Sequence, residues 1–305
     1  MVRAPFLEAR MTLPAFRSEE SRARFMAAYD AAVAAWPVPF EAIEVPTRLG
    51  PTHVIASGPA DAPPLLLLPS FAGTAAVWRL NAEALSRHFR LYAVDVIGQP
   101  GKSLANRTLR NRDYAPWLAE VMDCLGVARA SIVGCSFGAF LALNQALATP
   151  DRVERVVLIS PAGTFASQYW TLTYAMRIRA PFLRLMRRLR GAKQAPSLAD
   201  MGPRRLPRDT TWAALIGVTM AERAKVSVTN PTVFSRAQLR RVRPPTLLLI
   251  GDKETLYQPR AMLDLAQTRM PGLQGEIVPD ADHIAAMAQP DDVNARIIGF
   301  LGRPS

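Results

Sequence analysis

The sequence predicts an α/β protein built on a mostly parallel sheet flanked by helices. Continuous apolar runs at 65–68 and 247–250 are typical of strands that are covered on both faces. Amphipathic or alanine-rich stretches separate such runs, and this alternation of strands with helices indicates a parallel sheet. Half of the 305 residues are hydrophobic, which is enough for a large core.

Residues 1–39 are predicted to form a helical extension in front of the sheet. Ser18 is a suitable N-cap, acidic residues occupy the first turn, and Pro37 ends the helix. Two strands follow at 42–47 and 52–57, joined by a hairpin-like turn. The extension therefore leads directly into an antiparallel pair of strands.

The later elements alternate along residues 40–160 and 244–305, which together form the predicted core. Strands are predicted at 65–68, 91–96, 132–133, 153–159, 245–251 and 273–278. Helices are predicted at 75–88, at 114–125, in a stretch that ends at 148, at 259–269 and at 284–301. Residues 161–243 contain helical segments without a clear strand and are predicted to form a helical cap or lid.

The net charge of +12 is concentrated in the predicted cap. Residues 177–208 contain ten Lys or Arg residues, and Asp200 and Asp209 are the only acids beside them, so this stretch supplies about +8 of the total. Apolar residues at helical spacing predict a cap helix with a solvated arginine face. Steering of an anionic substrate and contact with an anionic membrane surface are the alternatives. Because no nucleic-acid-binding motif accompanies the charge, no nucleic-acid partner is expected.

Several classes of protein do not fit the composition. No apolar run reaches the ~20 residues of a membrane span, and the start of the chain lacks the apolar stretch of a secretory signal. Cys124 and Cys135 are too few for a disulfide framework, so a cytoplasmic protein is expected. No cluster of Cys, His and carboxylates has metal-ligand spacing, and no Gly-X-Gly-X-X-Gly occurs. We therefore expect neither a metal nor another cofactor.

The most specific motif is Gly134-Cys135-Ser136-Phe137-Gly138, which stands between an apolar strand and an apolar helix. In that context Gly-X-Ser-X-Gly predicts a sharp strand-to-helix turn that exposes a nucleophilic serine. A serine hydroxyl is a poor nucleophile alone and needs a base and a place for the oxyanion. A structural turn without chemistry is the alternative interpretation.

His283 is the predicted general base. It lies in a loop between the last strand and the last helix, and loops at the carboxyl ends of strands carry the ligands of open α/β sheets. His53 and His88 are predicted to be solvated or to face a helix dipole. The acid that orients the imidazole is expected in the loop after the 245–251 strand, where Asp252 and Glu254 are both candidates.

Together these stretches resemble the α/β-hydrolase superfamily, specifically its capped, esterase-like serine hydrolases. Besides the serine motif, the resemblance is carried by residues 65–78 (an oxyanion-loop strand), 94–103 (similar to Asp-X-X-Gly-X-Gly-X-Ser), 251–254 and 282–284. It covers roughly residues 40–160 and 244–300 and implies the α/β-hydrolase fold. Because the family's acid usually stands three residues after the glycine, it also implies a triad of Ser136, His283 and Glu254, with Asp252 as the alternative acid.

The resemblance further implies an oxyanion hole made by the backbone N–H groups of Phe137 and Phe71. The chain departs from the family where Pro69-Ser70 replaces the His-Gly that opens this loop in many members. A shifted loop matters, because one lost donor costs on the order of 10²–10³ in rate.

The expected reaction is hydrolysis of a small hydrophobic ester through an acyl-enzyme intermediate. The residues predicted to line an apolar pocket are Ser70, Phe71, Trp78, Phe137, Tyr169 and Trp170. Carbon–carbon bond hydrolysis, acyl transfer and cofactor-free perhydrolysis use the same triad and are alternatives. A non-catalytic ligand receptor on the same fold is the alternative outside enzymes.

Overall fold

An eight-stranded sheet lies at the centre of the molecule. The computed structural model describes residues 16–167, 210–222 and 230–303. The strands are β1 (Phe40–Val45), β2 (Thr52–Ser57), β3 (Pro64–Leu68), β4 (Arg90–Val94), β5 (Ala130–Cys135), β6 (Val153–Ile159), β7 (Thr246–Gly251) and β8 (Gln274–Val278). Their order is β1-β2-β4-β3-β5-β6-β7-β8; β2 is antiparallel to β1 and β4, and all other neighbours are parallel.

Helices cover both faces of this sheet. They are α1 (Glu19–Ala34), α2 (Arg79–Ser86), α3 (Asn111–Cys124), α4 (Phe137–Ala148), α5 (Thr210–Glu222), α6 (Arg236–Leu239), α7 (Pro259–Arg269), α8 (Ala285–Ala288) and α9 (Pro290–Leu301). Short 3₁₀ helices occupy Ala75–Trp78 and Pro150–Arg152. Within the described ranges, every helix is too short or too polar to cross a membrane.

The continuous apolar strands are explained by two separate cores. Leu66 and Leu68 of β3 belong to the core under α3, α4 and α7, whereas Leu65 and Leu67 belong to the core under α2, α8 and α9. Successive side chains of a strand point to opposite faces, so both sets must be apolar. This arrangement confirms the predicted fold class.

Several predicted element boundaries are wrong for local reasons. Helix α3 begins at Asn111 because the Asp113 carboxylate accepts the backbone N–H of Arg110 at 2.7 Å and caps the first turn. The predicted last helix is broken before Pro290, which has no N–H to continue the hydrogen-bond series. Strand β1 ends at Val45 for the same reason, since Pro46 follows it.

The N-terminal helix α1 packs on the described part of the predicted cap. Phe25 and Tyr29 of α1 form a small core with Leu215 of α5 and with Ala76. At its edge, Arg24 makes a two-pronged ion pair with Glu222, with N–O distances of 2.7 and 2.9 Å. The division into domains stays a prediction, because most of the basic cap segment lies outside the described residues.

Candidate active site

Ser136 lies at the junction of β5 and α4, with φ 53° and ψ −107°. A non-glycine residue rarely adopts a positive φ, so this turn is strained. Two backbone hydrogen bonds hold the turn in place. The Ser136 N–H donates to the carbonyl oxygen of Ile159 at 2.8 Å, and the Ser136 carbonyl accepts from the Ala162 N–H at 3.2 Å. Strain of this kind persists where surrounding structure over-determines the backbone, as it does here.

The two glycines of the motif are required by close backbone contacts. A Cβ atom on Gly134 would lie 2.2 Å from the carbonyl oxygen of Gly138. A Cβ atom on Gly138 would lie 2.1 Å from the carbonyl oxygen of Leu68 on β3. Because these atoms belong to the backbone of packed elements, they cannot move aside. The spacing of the motif therefore reflects how tightly α4 folds back over the sheet.

Three side chains form a continuous hydrogen-bonded series. His283 Nε2 lies 2.9 Å from Ser136 Oγ, and His283 Nδ1 lies 2.7 Å from Glu254 Oε2. With the ring proton on Nδ1, the Nε2 lone pair faces the serine hydroxyl. In this tautomer, the imidazole is oriented to accept the Ser136 proton.

Glu254 is held as an ionised acceptor. Its side chain is fully buried, and Oε1 accepts the backbone N–H groups of Thr255 at 2.8 Å and Leu256 at 2.9 Å. Burial raises the pKa of this carboxyl, but the hydrogen bond and charge of His283, together with the backbone hydrogen bonds from Leu256 and Thr255, outweigh it and leave the pKa below its ordinary value. Glu254 is therefore negatively charged at neutral pH.

The acid loop and the histidine loop are joined by their backbones. Lys253 N–H donates to the Ala281 carbonyl at 2.8 Å, and a Cβ atom on Gly251 would lie 2.2 Å from the same oxygen. Asp252, the alternative acid, is exposed, and its Oδ1 accepts the Ala281 N–H at 3.2 Å. It therefore braces the histidine loop, whereas Glu254 reaches His283.

Phe137, whose amide is one of the two predicted oxyanion donors, is the first residue of α4. The first N–H groups of a helix have no partner within it, and the helix dipole makes this end positive. The Phe137 ring lies in the core instead, 5.6 Å from the Tyr114 ring and 6.1 Å from the Phe140 ring. The prediction that this ring lines the pocket is therefore wrong, and only its amide remains a candidate donor.

In the loop that contains Phe71, three of the following amides have acceptors within the protein. Ala72 N–H donates to Gln99 Oε1 at 3.0 Å, Gly73 N–H to the Ser70 carbonyl at 2.9 Å, and Ala75 N–H to Asp95 Oδ1 at 2.7 Å. The Phe71 amide stays a predicted donor of this loop, and the residue is 44% exposed.

A narrow, mainly apolar cavity adjoins the series. The described residues that line it are Ser70, Val77, Trp78, Cys135, Ile284, Ala286 and Met287. Its volume of about 10 Å³ admits a single water-sized group. Ser70, Cys135 and Ile284 are chain neighbours of Phe71, Ser136 and His283, which places the cavity beside the site. Tyr169 and Trp170 lie outside the described residues.

A larger open cleft, of about 510 Å³, lies between residues 233–238 and α7. The described residues that line it include none of Ser136, His283 and Glu254. The hydrogen-bonded series of Ser136, His283 and Glu254, and not this larger cleft, is therefore the candidate active site.

Other candidate groups have different surroundings. Burial, with smaller contributions from Glu254 and Asp282, raises the pKa of Cys135 to about 12, so this thiol stays protonated. His53, predicted to be solvated or to face a helix dipole, is half-buried with its ring edge-on to the Tyr29 ring at 6.0 Å, and burial lowers its pKa. In the part of the chain that the structure describes, no cluster of three metal-ligating side chains occurs.

Comparison with known proteins agrees with this architecture. A family model described as the alpha/beta hydrolase fold matches residues 63–290. Carboxylesterase YbfK of Bacillus subtilis (strain 168) is 36% identical over 301 residues, covering 94% of this chain and 96% of the relative. An uncharacterized carboxylesterase, nap, of the same organism is 33% identical over 289 residues, covering 91% and 92%.

Two solved structures from Bacillus subtilis are similar over nearly their whole length. Naproxen esterase (carboxylesterase NP) superposes with a TM-score of 0.81 at 31% identity, covering 92% of this chain and 98% of the other. Carboxylesterase CesB (YbfK) gives 0.81 at 34% identity, covering 93% and 100%. The fold, the family model and these relatives together show that the chain belongs to the α/β-hydrolase family.

Proposed function

We propose that this protein is a carboxylic ester hydrolase in which Ser136 is the nucleophile, His283 the general base and Glu254 the acid that orients the base. The observation that carries the proposal is the series of two hydrogen bonds, 2.9 Å and 2.7 Å long, that joins the three side chains. The carboxylesterase names of relatives at 33–36% identity support ester hydrolysis as the reaction.

Acylation begins when His283 Nε2 takes the proton of Ser136 Oγ as the oxygen attacks the ester carbonyl. The carbonyl electron pair moves to its oxygen, where the amides of Phe137 and Phe71 stabilise the negative charge. When the tetrahedral intermediate collapses, the bond to the alcohol breaks and His283 gives its proton to the leaving oxygen. Water then repeats the sequence on the acyl-enzyme and releases the acid.

Glu254 acts through the histidine. Its ionised carboxylate fixes the Nδ1–H tautomer, and it stabilises the imidazolium that forms during each proton transfer. The two backbone N–H groups on Oε1 keep Oε2 directed at His283. The carboxylate therefore needs no rearrangement during the reaction.

The substrate that we propose is a small hydrophobic ester. The cavity beside Ser136 is lined mainly by apolar side chains, among them Trp78, Ile284 and Met287. This apolar lining suits an apolar substituent of the ester. A cytoplasmic location, the absence of a cofactor and the role of the basic cap stay predictions.

Hydrolysis of p-nitrophenyl acetate and butyrate tests the proposed function. We expect Ser136→Ala to lower kcat by up to ~10⁶, as loss of the nucleophile does in other triads. Ser131→Ala is the matched control, because Ser131 is a buried serine near the start of β5, the strand that ends just before Ser136. Its kcat should stay within about threefold of the wild type. Hydrolysis by Ser136→Ala at the wild-type rate would contradict the proposal, and absence of hydrolysis by the wild type itself would favour a non-catalytic receptor.

A further inference from the structure

We propose that Gln99 is a positioning residue for the oxyanion hole, a role that rests on the proposed function. Gln99 is 1% exposed and lies in the loop after β4. Its Oε1 accepts the backbone N–H of Ala72 at 3.0 Å, one residue beyond the candidate oxyanion donor Phe71. This contact joins the two loops next to the nucleophile.

The oxyanion loop needs such a contact because its backbone is unusual. Ala72 has φ 57°, which is unfavourable for a residue with a Cβ atom. The Gly73 N–H donates to the Ser70 carbonyl and closes a tight turn around Phe71 and Ala72. The Gln99 side chain, which comes from outside this loop, accepts the N–H of the residue with the positive φ.

The hydrogen bond acts on Phe71 through a planar group. The Ala72 N–H belongs to the peptide plane that joins Phe71 to Ala72, and that plane is rigid. By fixing the plane, Gln99 restrains rotation at Phe71, whose own N–H is the proposed oxyanion donor. A displacement of about 1 Å in a catalytic group can cost up to ~10² in rate.

Gln99 is itself well anchored. Its N–H donates to the Val96 carbonyl at 3.0 Å, and buried Asp95 accepts Lys102 N–H at 2.8 Å through Oδ2. The other Asp95 oxygen holds Ala75, so the loop contacts the oxyanion loop at two points. An uncharged amide also suits the position, because a carboxylate there would repel the developing oxyanion.

The other end of the amide distinguishes positioning from general stabilisation. Gln99 Nε2 is buried and finds no hydrogen-bond partner among the described residues. A buried donor without a partner is destabilising, so Gln99 is a poor choice for stability alone. Replacing Gln99 by Met, which has a similar shape, removes this cost while leaving Ala72 N–H unpaired. We therefore expect little change in thermal stability but a clear change in catalysis.

The test is Gln99→Met in the full-length enzyme, assayed with p-nitrophenyl butyrate and inhibited by a trifluoromethyl ketone. We expect kcat to fall about 10- to 100-fold. This is a smaller decrease than the 10²- to 10³-fold loss expected when an oxyanion donor is removed entirely. KM should stay within about threefold of the wild type. The ketone, which forms an oxyanion on the serine, should bind more weakly by the same factor as kcat/KM. Gln99→Asn, which keeps an amide but is one methylene shorter, should show the same effects and serves if the Met variant does not fold.

Gln145→Met is the matched control, because Gln145 is a buried glutamine of α4 that hydrogen-bonds Thr149. Its kcat and ketone affinity should equal those of the wild type. In an Ala72→Gly background, where a positive φ carries no penalty, the loss caused by Gln99→Met should shrink at least threefold. The proposal is overturned if Gln99→Met or Gln99→Asn, folded, keeps kcat within threefold of the wild type while Ser136→Ala is inactive. An active Ser136→Ala would instead overturn the proposed function.

Discussion

At the scale of single residues, position in the backbone decides which side chain can react. Cys135 and Ser136 are neighbours in the chain, and a thiol is intrinsically the better nucleophile. Cys135 ends a strand in the apolar interior, where burial raises its pKa to about 12. Ser136 lies one residue later on the turn, where its hydroxyl meets His283. This difference favours Ser136 as the proposed nucleophile, although a cysteine stands beside it.

This contrast predicts the behaviour of the two cysteines. Iodoacetamide at pH 8 should alkylate the exposed Cys124 in the folded protein and leave Cys135 unmodified, because alkylation needs an accessible thiolate. Peptide mass spectrometry measures the site of modification. Cys135→Ala should keep kcat within about fivefold of the wild type, and loss of activity on alkylation of Cys135 would contradict this interpretation.

The two acids of the 251–254 loop are separated by a pair of isosteric variants. Glu254→Gln should lower kcat about 10³- to 10⁴-fold, because the amide removes the charge that stabilises the imidazolium. Asp252→Asn should stay within about fivefold, since its contact is with the Ala281 amide. Steady-state kinetics on one p-nitrophenyl ester compares them. The reverse order of activities would show that Asp252 is the acid.

At the scale of elements, the site depends on how closely backbones approach. The elbow brings α4 against β3, and the acid loop lies against the histidine loop, in both places at a glycine. Side-chain chemistry alone would not produce these distances. The reactive geometry is therefore a property of the packed strand ends.

Two glycine substitutions that should change the free energy of unfolding in opposite directions test this conclusion. Gly138→Ala should destabilise the protein by several kcal/mol, because the new Cβ would lie 2.1 Å from the Leu68 carbonyl oxygen. Gly299→Ala, in α9 and with nothing within 4 Å of its Cβ, should stabilise by about 0.5–1 kcal/mol. Urea unfolding measures both. Equal stability of Gly138→Ala and the wild type would contradict the proposed close approach.

The contact between α1 and α5 predicts a pH-dependent stability. The hydrogen bond from Arg24, followed by one from Ser21, lowers the pKa of Glu222 from 4.5 to about 2. A carboxyl whose pKa is lowered by folding contributes stability above its unfolded pKa and loses it as pH falls through the folded value. Arg24→Gln should therefore lower Tm at pH 7, and the difference from the wild type should shrink as pH falls from about 4.5 towards 2. A difference in Tm that stays constant over that range would contradict the pairing.

At the scale of the whole molecule, the features that could be predicted from the sequence are those in which one physical requirement acts on many residues at once. Strands covered on both faces must be apolar throughout, so the parallel sheet and the alternation of elements were predictable from runs such as 65–68. The sharp turn at Gly-X-Ser-X-Gly was predictable because close backbone contacts leave no room for a side chain at its two glycines. Ser136, His283 and Glu254 then meet at the carboxyl ends of three strands, as the topology requires.

Features that depend on one particular contact were not predictable. The start of α3 follows from one carboxylate, that of Asp113, and the burial of His53 follows from the packing of α1. The Phe137 ring turned to the core because Tyr114 and Phe140 lie there. The sequence alone did not predict a role for Gln99. Its position between two glycines of the 94–103 loop is the feature that could have indicated one.

The central claim is that Ser136 becomes covalently acylated during the reaction. Labelling of the wild-type protein with a fluorophosphonate, followed by digestion and mass spectrometry, tests it most directly. We predict one adduct per chain, on the peptide that contains Ser136, and none in Ser136→Ala or His283→Ala. An unlabelled wild-type protein, or an adduct on any other residue, would contradict the account.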